Sequence, residues 1–141
     1  MRHVRGVSQS IGIRVELPFE QEVNPFVEQA FEHESFFTRL HQFVLMSDAY
    51  VVAPGGIGTV LETMMVWQLL QVRHLEGTPL ILVGQMWRDL VEWARTRMLR
   101  PGFELASEKD FEIPQCVDGP DQAVAIIRES QARWKATQAA G

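Results

Sequence analysis

One stretch constrains this chain more than any other: Pro54-Gly55-Gly56-Ile57-Gly58-Thr59-Val60-Leu61-Glu62, set between two apolar segments. The run before it, Ala49-Tyr50-Val51-Val52-Ala53, is short and continuous, as expected of a parallel strand buried on both faces. The segment after it, from Thr59 to about Val72, reads as a helix. Its apolar residues Val60, Leu61, Met64, Met65, Val66, Trp67, Leu69, Leu70 and Val72 nearly encircle the axis, so it needs cover on more than one side. Strand, glycine turn and helix in that order form the unit from which parallel α/β layers are built.

The rest of the chain repeats this alternation. Ile11 to Leu17 reads as a strand stopped by Pro18, and Pro18 to Asn24 as irregular. Ser35 is placed to cap a helix carrying Phe36, Leu40, Phe43 and Val44 as far as about Met46. Pro79 to Val83 is a third strand, leading through Gly84 to a helix from about Trp87 to Leu99 that Pro101-Gly102 ends. Ile113 to Val117 is a last strand, and Asp121 opens a final helix carrying Ala123, Ile126 and Ile127. The expectation is a single Rossmann-like α/β domain over 1–134, a three-layer parallel sheet covered by helices, with a frayed tail at 135–141. The usual first strand, glycine turn and helix are not found before Ile11, so the sheet is expected to be incomplete on its N-terminal side.

Bulk properties remove several function classes. A chain of 141 residues, 46% hydrophobic and 22% charged, is an ordinary globular domain with one core. A net charge of −5 and an isoelectric point of about 5.3 supply no basic face for a nucleic-acid polymer. A small phosphorylated ligand stays compatible, because backbone N–H groups bind phosphate without net positive charge. Cys116 is the sole cysteine and has no disulfide partner within the chain, which points to the cytoplasm. No run of about 18 apolar residues exists, so no membrane span is expected. His33, His41 and His74 lack the spacing to seat a metal together, and neither metal nor cofactor is expected.

The glycine stretch carries the chemistry. Lacking Cβ atoms, Gly55, Gly56 and Gly58 can adopt positive φ and let a ligand approach the backbone, while the helix start attracts a phosphate. The plain alternative is a tight turn in which Thr59 is the N-cap and Glu62 completes a capping box. Three glycines in four residues exceed what a turn needs, and Glu62 is the only charged group on that helix before Arg73.

The stretch resembles the signature of the LOG ("Lonely guy") family, often labelled lysine decarboxylases: Pro-Gly-Gly-x-Gly-Thr, then a glutamate after two residues. Leu17-Pro18-Phe19-Glu20 is similar to the family's proline loop with a ligand-contacting acid, and Arg39 falls where the family has the arginine of an Arg-Lys pair. Leu40 stands in place of the lysine, and the family's upstream glycine-rich loop is not found in a likeness that spans nearly all of Ile11 to Arg128. The resemblance implies hydrolysis of the N-glycosidic bond of a nucleoside 5′-monophosphate, giving a free adenine or cytokinin-type base and ribose 5-phosphate. It implies Glu62 and Arg39 as catalytic groups, and Glu20, Gly55, Gly56, Ile57, Gly58 and Thr59 as substrate contacts. With half of the phosphate cradle not found, weak nucleotide binding and poor turnover are expected. The alternative is a carrier that holds a nucleotide or molybdenum cofactor without hydrolysing it. A homodimer is expected too, because Met64, Met65, Trp67, Leu69 and Leu70 crowd a helix that one sheet face cannot cover. Lysine decarboxylation is set aside: it needs a desolvated Schiff-base lysine, and Lys109 and Lys135 lie in polar sequence.

Overall fold

The computed structural model describes residues 11–15, 29–33, 36–73 and 77–141. The chain forms two compact units, Met1–Ser47 and Asp48–Gly141. In the first, β1 (Ile11–Val15) pairs in parallel with β2 (Gln29–His33), and α1 (Phe36–Leu45) packs against both strands. β2, with the sequence Gln-Ala-Phe-Glu-His, has almost no β-branched content, and only its partner strand reveals it.

The second unit holds the expected alternation: β3 (Tyr50–Val52), α2 (Ile57–Arg73), β4 (Leu80–Val83), α3 (Gln85–Met98), β5 (Leu99–Arg100), β6 (Phe103–Glu104), β7 (Pro114–Val117) and α4 (Pro120–Ala140). β3, β4 and β7 form a parallel sheet in that order, with Tyr50 opposite Leu80 and Leu80 opposite Pro114. Helices flank this sheet, a Rossmann-like α/β arrangement. β4 is its centre, and Leu80, Ile81 and Leu82 are each 0% exposed. On one face Ile81, Val83 and Val117 pack against Ala123, Ile126 and Ile127 of α4. Leu80 and Leu82 alternate to the opposite face, and α3, with Trp87 and Ala94 buried, also packs on β4 and β7. Each such side chain closed off from water contributes roughly 1.5–3 kcal/mol.

Burial on both faces was expected of the Ala49–Ala53 strand and belongs to β4 instead. β3 ends the described sheet, and its Val51 is 51% exposed. α3 also stops one residue earlier than expected, where Pro101-Gly102 turns a small antiparallel hairpin between β5 and β6. A 3₁₀ turn, Glu108–Glu112, precedes β7 and is held by a capping box in which the Ser107 N–H donates to Asp110 Oδ2 at 2.7 Å. The stretch 135–140, expected to fray, is helical and exposed. Among the described residues no helix is long and apolar enough to cross a membrane.

Candidate functional site at the carboxyl edge of the sheet

Parallel strands deliver all their C-terminal ends to one edge, where each chain end turns into a helix. In the second unit β3 leads to α2 through Ala53–Gly56, β4 leads to α3 through Gly84, and β7 leads to α4 through Asp118-Gly119. Open α/β sheets bind their ligands at this edge.

α2 begins two residues before the position expected from sequence. Its first ladder bond runs from the Val60 N–H to the Gly56 carbonyl at 3.1 Å, so Gly56 is the cap. The N–H groups of Gly56, Ile57, Gly58 and Thr59 therefore have no acceptor within the helix. Ala53 through Gly58 are exposed, and the first turn of α2 contains no acid to oppose an anion.

Thr59 is thus inside the helix rather than its N-cap, and it forms no capping box with Glu62. The Thr59 carbonyl accepts the Thr63 hydroxyl at 2.7 Å, while its side chain lies over Gly55. A Cβ at Gly55 would fall 2.7 Å from Thr59 Cβ, closer than the loop tolerates. Gly55, Gly56 and Gly58 do not use the positive φ open to them: among the described residues, the glycines with that geometry are Gly77, Gly84 and Gly102. Close approach dictates glycine at 55. At 56 and 58 a Cβ would meet nothing within 4 Å, so the protein's own packing gives no reason for glycine there.

Glu62 lies on the second turn of α2, half-buried, and is the only acid on that helix. Helical side chains tilt toward the N-terminus, which leans this carboxylate back toward the glycine loop. Gly55, Gly56, Ile57, Gly58, Thr59 and Glu62 thus share one edge of the second unit. Arg39 sits half-buried on α1 in the first unit, beside Leu40, which is 6% exposed. Glu20 lies outside the described residues.

Two features of this edge were not singled out from sequence. Arg88, in the first turns of α3, forms an ion pair with Asp118 at 2.9 Å and ties the second loop to the third. Gly84, at the end of β4, faces Pro54, whose ring a Cβ there would meet; a glycine directly after an apolar run was the available signal. A separate hollow of about 460 Å³ opens at the amino-terminal edge, lined by Leu70, Pro79, Lys109, Gln115 and Arg133 among others. It contains no residue of the glycine loop, and the motif chemistry lies at the carboxyl edge.

The model of the family described as "possible lysine decarboxylase" matches residues 2–127. The chain belongs to this family, the LOG family. No curated protein matches it. A decarboxylase reading does not suit the chain's lysines: Lys109 and Lys135 are both exposed, where a Schiff-base lysine needs a desolvated pocket. Among the described residues, no cluster of histidine, cysteine or acidic side chains is arranged to hold a metal ion.

Proposed function

We propose that this LOG-family chain is a phosphoribohydrolase that splits nucleoside 5′-monophosphates into a free base, adenine or a cytokinin-type derivative, and ribose 5-phosphate. The observation that carries the reading is the run of backbone donors at Gly56 to Thr59 that the helix leaves without an acceptor, followed on the same helix by the half-buried Glu62. A 5′-phosphate fits the donors. Five residues from Ile57 to Glu62 advance about 7.5 Å along the axis, a spacing that suits a carboxylate beside the sugar of a nucleotide whose phosphate caps the helix. There it stabilises the positive charge that grows on the ribose as the C1′–N bond breaks, and it orients the water that attacks C1′. The base leaves with a proton. Arg39 and Glu20 enter on the family resemblance alone, Arg39 as a fork for the phosphate or the departing base. A cytoplasmic setting suits the single cysteine.

One observation favours the carrier reading: Leu40, in the place of the family's lysine, is buried, so that position offers a ligand no charge. Incubation with adenosine monophosphate and its N6-modified counterparts, with ribose 5-phosphate as the product measured, separates the two. Release of the sugar phosphate is the expected result. Saturable nucleotide binding without release would make the chain a carrier, and neither binding nor release would remove both readings.

A further inference from the structure

Gly84 is the glycine loop's neighbour along the carboxyl edge, and three observations converge on it. Its backbone has φ 113° and ψ 164°, a region essentially closed to residues with a Cβ. Its N–H donates to the Val117 carbonyl at 2.9 Å and its carbonyl accepts the Trp87 N–H at 3.3 Å, so β7 and α3 hold it in that conformation. A Cβ built on it would lie 3.1 Å from Cγ of Pro54, the residue that opens the glycine loop. Gly77 and Gly102 share the positive φ, but a Cβ on either would meet nothing within 4 Å. Gly84 joins a glycine-only conformation to a close contact.

We infer that Gly84 is a positioning residue for the glycine loop, a bare stretch of backbone against which the Pro54 ring rests and which sets where the donors of Gly56 to Thr59 stand. The inference rests on the reading of that loop as a phosphate cradle. The pyrrolidine ring is bonded to the main chain at both N and Cα, so the part of a push on Cγ that ring pucker does not absorb passes into the main chain. The next residue, Gly55, is already confined by Thr59. The displacement therefore travels on to the cap and first turn of α2, where small misplacements of donors weaken a bound phosphate.

Gly84→Ala tests this against Gly102→Ala, which imposes a positive-φ strain without a neighbour, and against the double variant Gly84→Ala/Pro54→Ala, which removes the ring that would be pushed. Two quantities are read: the amide NMR resonances of Gly55 to Gly58 in the unliganded protein, and the Kd for adenosine monophosphate. Both single alanine variants should lower Tm. Only Gly84→Ala should move the loop amides and raise Kd about tenfold or more, and the double variant should return both toward the values of Pro54→Ala alone. Loop amides that move no further in Gly84→Ala than in Gly102→Ala would overturn the inference, as would the absence of any relief in the double variant. If Gly84→Ala does not fold, the strain at φ 113° is enough to explain it, and Pro54→Ala alone decides: the amides of Gly56 to Gly58 should shift when the ring is removed, and amides that stay in place overturn the inference. If the loop amides respond as expected but the wild-type chain binds no nucleotide, the positioning stands and the phosphate reading falls.

Discussion

Gly55 and Gly58 lie three residues apart and lack side chains for different reasons. Gly55 is glycine because Thr59 fills the space that a Cβ needs, and Gly55→Ala should destabilise the fold by about 1–3 kcal/mol through overpacking. Gly58 is inside the first turn of α2 with open space around it, so Gly58→Ala should raise stability by up to about 1 kcal/mol from helix propensity. The same methyl would stand among the exposed donors, so nucleotide affinity should fall as stability rises. Urea denaturation and a binding titration of both variants check the pair of outcomes. If Gly58→Ala binds nucleotide as tightly as the wild type, the bare backbone at 58 has no ligand role. Glu62 belongs to the same scale. Glu62→Gln removes the charge and keeps the size of the side chain, and turnover of adenosine monophosphate should drop at least about a hundredfold. Unchanged turnover would reduce Glu62 to an incidental helix acid.

At the scale of the element, α2 has two apolar faces with different fates. Thr63, Val66, Trp67 and Leu70 are buried. Trp67 Nε1 donates to the Asp110 carbonyl at 2.8 Å, and its ring meets Phe111 edge-on at 5.6 Å. Arg95 stacks over the other ring of that pair, 5.5 Å from the Phe111 centroid. Trp67 and Leu70 therefore do not belong to the outward set expected to pair with another chain. The outward residues are Ile57, Leu61 and Val72, 87%, 50% and 63% exposed, with Met65 half-covered between them. An apolar face of this length on one helix supports the proposal of a homodimer. Light scattering at micromolar concentration should give twice the chain mass, and Val72→Asp, distant from the glycine loop along α2, should give the monomer. A monomeric wild type would sink the proposal.

At the scale of the molecule, stability is coupled to pH through two groups on the sheet of the second unit. Burial pushes the Cys116 thiol on β7 above its ordinary range, with Arg88 pulling the other way. Burial likewise raises Tyr50 on β3, against the pull of Arg73 and with a smaller push from Asp48. Both groups are held neutral when folded, so the unfolded chain ionises first. Their contribution is intact below the unfolded pKa and is lost as pH rises toward the folded value. The urea midpoint should hold near neutrality and begin to fall above about pH 8.5, where an unfolded thiol ionises. Cys116→Ala should flatten the first part of that fall, and a midpoint independent of pH up to 10 would contradict the raised Cys116 thiol. The sequence by itself determined the alternation of strands and helices, the glycine loop between β3 and α2, and the family, because apolar period, turn residues and a contiguous motif are local properties. It did not reveal β2, which has a strand's partner but not a strand's composition, or the capping box at Ser107 and Asp110. Only the tertiary structure decided that β4 rather than β3 is the central strand, that α2 starts at Ile57, that Thr59 confines Gly55, and that Gly84 supports Pro54. Each of these depends on which strand lies beside which, and strand order is fixed by long-range pairing and burial that no window of neighbouring residues contains.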